Sequence, residues 1–310
     1  MKHPWRVLPA LLLTAVTVSA TTAPSNADVD PTLTVTEVVS GGLDIPWDMA
    51  FLPDGSMLYT ERSRRLVHLR TPGGVDTVVI NTATADAAGV WASGETGMMG
   101  IEVAADFSTT GDFITCHGYR REASGTTTQD VRVVRWKLNT AHTSARFVRT
   151  LVYTLPSTSG RHGGCALEKG ASNSVYVGTG DAATGTNPQN VYSGGGKVLR
   201  VNATTGKGMS NNPFHASVRY IAQRIFTYGH RNVQGLARRA DGRIWSIEQG
   251  SYRDDEVNLL SARGNYGWNP VPRAAGDPSY NEGANSPMTD NTLPGTQLSA
   301  KWRSGTQTEA

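Results

Sequence analysis

A hairpin that recurs four times constrains this chain more than any single residue does. Trp47–Arg62, WDMAFLPDGSMLYTER, aligns without gaps on Gln234–Gln249, QGLARRADGRIWSIEQ. Ala50 meets Ala237, Asp54-Gly55 meets Asp241-Gly242, and Glu61 meets Glu248. A looser copy runs from Ala166 to Asp181, with Ser172-Asn173 at its turn; another runs from Met99 to Cys116, with Gly111-Asp112 near its turn. Each copy reads as a strand, a tight turn and a second strand, and the turn residues are those that tolerate φ > 0. More strand-like runs lie between the copies, at Leu66–Arg70, Val131–Leu138, Phe147–Leu155, Lys197–Asn202 and Ile225–Tyr228. Units roughly 50 to 70 residues long, with about four strands each, are what an all-β propeller requires. A blade cannot bury its own two faces, so neighbours stack about an axis, and rim loops distant in sequence meet at the central channel.

Composition agrees with many short strands joined by turns. Gly is abundant at 34 residues, Pro adds 15, and charged residues make up only 18%. The net charge of +3 is spread without a basic run, so nothing points to nucleic acid or a membrane surface as partner. Met1–Ala27 reads as a secretory signal peptide: Lys2 and Arg6, an apolar run from Leu8 to Val18, then Ser25-Asn26-Ala27 as the cleavage site. That run is too short to span a bilayer, and no later run exceeds it. The mature chain, 28–310, is expected to be exported as a single propeller domain. In an oxidising compartment its two cysteines, Cys116 and Cys165, are expected to form a disulfide; the alternative is two buried thiols on separate strands.

The stretch from Tyr228 to Trp268 concentrates the chemistry. His230, Arg231 and Asn232 form a cationic loop, a strand follows at Arg243–Glu248, and an oxygen-rich loop runs from Glu248 to Asn258. A loop suited to an anion and a loop suited to a hard cation thus flank one strand.

In these residues the chain resembles a known family. GHRNVQG, EQG, DDEVN and NYGW, with IPWDMAFLPDGSMLYTER, GETGMMGIEVAADF, RHGGCALE, VYVGTGDAA and GGGKVLRVNATTG upstream, are similar in kind and order to the soluble sugar dehydrogenases that use pyrroloquinoline quinone (PQQ), the glucose/sorbosone dehydrogenases. The resemblance covers roughly Leu43 to Pro270 and implies a six-bladed propeller, PQQ and Ca²⁺ as cofactors, a sugar substrate and an external electron acceptor. It implies that His162 is the general base for the sugar C1 hydroxyl, a task suited to a side chain that titrates near neutrality. Arg231 and Asn232 then face the cofactor, and Arg231 also stabilises charge developing on the quinone oxygen. Glu95 holds a place where relatives carry Glu or Gln toward the cofactor; the structural alternative is a strand-start carboxylate paired with Arg. The Gly250 and Ser251 carbonyls match a pair that binds calcium, although the family's better-known members have Pro where this chain has Ser251. Asp254, Asp255 and Glu256 are candidates for a second calcium, or else a solvated acidic turn. His230 reads as a structural loop residue, and Asp181 and Lys197 as strand ends.

Four repeat units are present by Trp268, and beyond Pro270 the pattern weakens. The expectation is therefore an incomplete propeller of four to five blades, truncated relative to its family. A shorter propeller in its own right is the alternative. Two functions stay open: a secreted PQQ- and calcium-dependent sugar oxidoreductase, and a secreted propeller of the same fold that binds a sugar or protein without the cofactor. Hydrolysis of a lactone or ester on a calcium propeller ranks last, because it leaves GHRN beside HGG unexplained.

Overall fold

A computed structural model describes residues 33–82, 89–283 and 286–306. The proposed signal peptide lies outside these. All strands belong to the unit Gly41–Ala310.

Among the described residues, four antiparallel four-stranded sheets follow one another along the chain. The first is β1 (Pro46–Phe51), β2 (Met57–Glu61), β3 (Leu66–Arg70) and β4 (Asp76–Asn81). The second is β5 (Met98–Val103), β6 (Asp112–Ala123), β7 (Thr126–Leu138) and β8 (Ala145–Leu155). The third is β9 (Leu167–Lys169), β10 (Ser174–Gly178), β11 (Lys197–Asn202) and β12 (Ile225–Tyr228). The fourth is β13 (Val233–Arg238), β14 (Ile244–Glu248), β15 (Glu256–Leu259) and β16 (Trp302–Arg303). Strands pair in chain order within each sheet, as in propeller blades. Helix among the described residues is limited to Phe107–Thr110 and a 3₁₀ turn at Ala222–Arg224.

Every copy of the repeated hairpin is the first hairpin of a blade: β1–β2, β5–β6, β9–β10 and β13–β14. The register pairs Phe51 with Met57 and Arg238 with Ile244, so the Asp54-Gly55 and Asp241-Gly242 turns are equivalent. One expectation is corrected. Glu256–Leu259 is not part of an oxygen-rich loop but the third strand of blade four, with Trp245 opposite Leu259 and Glu248 opposite Glu256. Alternation of Glu256 and Asn258 with Val257 and Leu259 is a strand pattern that the acidic composition obscured.

The core lies between blades. Leu58, Val67, Leu69, Met98, Phe113 and Trp136 join the first two blades. Met99, Val133, Leu167, Val177 and Leu199 join the second and third; Tyr176, Val198, Val233 and Tyr266 join the third and fourth. Stacking of this kind buries both faces of the middle sheets, which is why β10 is buried at all five positions. Cys116 on β6 and Cys165 ahead of β9 are disulfide-bonded, Cα to Cα 6.0 Å, and staple blade two to blade three inside their shared core.

Candidate active site

The first strand of each blade starts on the same rim where the second strand ends, so residues flanking those points converge. Glu95 precedes β5, His162 precedes β9, Arg231 and Asn232 precede β13, and Asp181 and Gln249 follow β10 and β14.

His162 is buried, its side chain 2% exposed, in a left-handed conformation with φ 51°. Its backbone N–H donates to Glu95 Oε2 at 2.9 Å. Imidazole Nδ1 lies 2.8 Å from Asp181 Oδ1. Asp181 is fully buried and also accepts the Ala183 N–H (2.8 Å), the Trp268 indole N–H (2.7 Å) and the Tyr280 hydroxyl (2.8 Å). Four donors suit an acceptor-only carboxylate, which fixes the imidazole with its proton on Nδ1 and its lone pair on Nε2. Nε2 makes no hydrogen bond among the described residues. Gly180 is what lets the two segments meet: a Cβ there would stand 1.9 Å from the His162 carbonyl oxygen.

Arg231, its side chain 4% exposed, donates through Nη2 to Glu282 (2.9 Å) and through Nη1 to the Gln249 carbonyl (3.1 Å), with its guanidinium 5.9 Å from the Trp268 ring centre. Its Nε is buried without a partner. Arg161 shares the same Glu282 carboxylate. A third guanidinium, Arg62 at the end of β2, donates to the Glu95 carbonyl at 3.3 Å, and its Nε too is buried without a partner. Asn232 ties three blades together: Nδ2 donates to Glu95 Oε2 (3.3 Å) and Oδ1 accepts the Gly164 N–H (3.1 Å).

The structure thus gathers His162, Arg231, Asn232 and Glu95 on one rim. The acidic trio is not gathered. Asp255 turns back to the Gly250 N–H (2.7 Å), Asp254 pairs with Arg253 (3.4 Å), and Glu256 points into blade four toward Arg303 (3.0 Å). No group of three or more His, Cys, Asp or Glu side chains suited to a metal occurs among the described residues. Asp254, at φ 59°, and Asp255 lie ahead of β15 and Glu256 opens it, so the three side chains leave the backbone in different directions.

His230 is structural, held between Glu248 and Thr227 at 2.9 Å each and stacked on Tyr266. Lys197, fully buried, donates to the carbonyls of Asn187 (2.7 Å), Pro188 (3.0 Å) and Gly195 (2.6 Å), pinning the 187–195 loop beneath the rim. Burial pushes its amine down to about 7 against the pull of Asp181.

Glu256 provides a stability prediction. Burial and then the Glu248 carboxylate push it up to about 8, overriding Arg303, whose side chain is 39% exposed and screened. With the folded value above the unfolded one, this contribution is full below about 4.5 and lost as pH rises toward 8. Glu256→Gln should flatten that decline and melt above the parent at pH 9, as thermal scans from pH 5 to 9 will show. Parallel curves for the two proteins would refute it.

Sequence reasoning missed Asp181, Arg62, Tyr280 and Glu282. For the first two a signal existed: Arg62 and Gln249 end the two gap-free hairpin copies and Asp181 ends the looser one, the position that opens onto the rim. Tyr280 and Glu282 lie in a strandless segment and carry no local signal.

Comparisons with known proteins point to one family. A family model, Glucose / Sorbosone dehydrogenase, matches residues 43–305. The quinoprotein glucose dehydrogenase B of Acinetobacter calcoaceticus is 26% identical over 85% of this chain and 59% of its own length. An aldose sugar dehydrogenase of Escherichia coli is 28% identical over 75% of this chain and 61% of its own length. An uncharacterized Synechocystis protein is 31% identical over 74% of this chain and 58% of its own. The chain therefore spans about three fifths of the curated relatives it matches. Among solved structures, the PQQ-bound aldose sugar dehydrogenase of Streptomyces coelicolor superposes with a TM-score of 0.66 at 27% identity, covering 80% of this chain and 70% of that one. A putative glucose dehydrogenase of Thermus thermophilus gives 0.66 at 31% identity, covering 82% and 73%. With the match running from the start of blade one to the last strand of blade four, this chain belongs to the glucose/sorbosone dehydrogenase family.

Proposed function

We propose that this chain oxidises the C1 hydroxyl of an aldose or related sugar with PQQ as electron acceptor, outside the cell. The observation that carries the reading is the buried His162–Asp181 pair, whose Nε2 is left without a partner among the described residues. The donor set fits an anionic cofactor with three carboxylates. Arg62, Arg161 and Arg231 supply three guanidiniums, and the buried Nε atoms of Arg62 and Arg231 are without partners. Arg231, Arg62 and the remaining N–H of the Asn232 amide would hold PQQ, with Glu95 beside them. When bound, PQQ supplies the two-electron acceptor for hydride. His162 takes the hydroxyl proton on Nε2 as the C1 hydrogen leaves. Asp181 keeps Nδ1–H and stabilises the imidazolium that forms. Trp268 and Tyr280 hold Asp181 in place, donating to its Oδ2 at 2.7 and 2.8 Å.

The Gly250 and Ser251 carbonyls, neither of which accepts a hydrogen bond among the described residues, would hold calcium. The disulfide supports export. A second reading, binding without catalysis, has one observation in its favour: Glu282 already occupies Arg231 and Arg161 as a ligand carboxylate would.

The test adds PQQ and Ca²⁺ to the purified protein and follows cofactor absorbance, melting temperature and aldose-dependent dye reduction. All three should change. PQQ that alters neither absorbance nor melting removes the oxidoreductase reading for this chain; binding without dye reduction favours the second.

A further inference from the structure

Between Trp268 and Trp302 the described residues cross the rim outside any strand, and on the way one side chain is set against the catalytic pair. The Tyr280 hydroxyl donates to Asp181 Oδ2 at 2.8 Å, and its oxygen stands 3.2 Å from His162 Nδ1. The phenol ring meets the imidazole edge-on, centroids 6.0 Å apart. Arg161 lies over the same ring at 5.7 Å. Burial and then the Asp181 charge hold the phenol far above its usual range, so it remains an O–H donor at any pH the protein meets.

We propose that Tyr280 is a positioning residue, which acts through Asp181 to set both the orientation and the proton affinity of His162. This rests on the reading of His162 as the base. Asp181 Oδ2 carries two donors, Trp268 and Tyr280, and each draws charge away from the carboxylate on which the imidazole leans. Removing one donor leaves Asp181 a stronger partner for an imidazolium, so Nε2 should hold its proton to higher pH. The other charged groups about His162 are Glu95 at its backbone N–H, Arg161 ahead of it, Arg231 beyond Trp268, Glu282 between the two arginines, and Lys197 acting on Asp181. Tyr280→Phe alters none of those charges and keeps the ring.

The first measurement uses the chain without cofactor, so that it does not depend on turnover: an NMR titration of His162 in the parent and in Tyr280→Phe. The midpoint should rise by about 0.5 to 1 pH unit. In PQQ-loaded protein the acid limb of kcat/KM against pH should move up by the same amount, with KM little changed. Tyr280→Leu separates packing from hydrogen bonding: a ring that only fills space would leave Phe like the parent and disturb Leu alone. A His162 that titrates identically in parent and Tyr280→Phe, or that holds one protonation state throughout in both, overturns the proposal. Failure of the oxidoreductase reading looks different: no aldose-dependent dye reduction in the parent, with the NMR shift still present.

Discussion

His162→Ala should lower kcat/KM of the PQQ-loaded protein by about 10²- to 10⁴-fold, the range over which a positioned general base contributes. The hydroxyl proton then has only water to go to. Asp181→Asn should cost a comparable factor by a different route. An amide that turns its NH₂ toward the imidazole forces the proton onto Nε2, the atom that must be free to accept. PQQ affinity, read from absorbance, should change little in either variant, because the guanidiniums are untouched. Turnover within about 3-fold of the parent in His162→Ala would remove the base assignment.

Loss of the Cys116–Cys165 bridge should have the largest effect on stability. The two cysteines are 49 residues apart, and closing a loop of that length in the unfolded chain corresponds to about 4 kcal/mol in the chain-entropy model. For a domain of this size that corresponds to a fall of roughly 10 °C in melting temperature. The bridge crosses from blade two to blade three, so its loss is felt at the largest interblade core. The Cys116→Ala/Cys165→Ala double variant and the reduced parent should melt together, well below the oxidised parent. Mass analysis after alkylation without reductant checks the pairing itself: two alkylated thiols would refute the bridge.

What the sequence made legible was the local, repeated part of the design. Leu66–Arg70, Lys197–Asn202 and Ile225–Tyr228 are strands with the bounds that their β-branched and aromatic content indicated. The hairpin copies showed themselves because Asp-Gly turns and alternating apolar residues act over a few positions. His162, Arg231, Asn232 and Glu95, which the fold brings to one rim, were singled out because the motifs that carry them keep their order. Glu256–Leu259 was lost to composition: acids that are rare in strands are tolerated there because Arg303 and Asn258 meet them inside the blade. Tyr280 and Glu282 were lost for another reason. Their partners lie 99 and 51 residues away, at Asp181 and Arg231, and no periodicity encodes contacts of that range.

The shared last position of the hairpin copies has an evolutionary consequence. Arg62, Asp181 and Gln249 stand where β2, β10 and β14 run out, past the final ladder pairs that hold each sheet in register. Exchange at such a site rewrites the lining of the mouth while leaving the interblade apolar cores intact. Each of these blades thus offers the mouth one polar side chain that stands outside its own apolar packing.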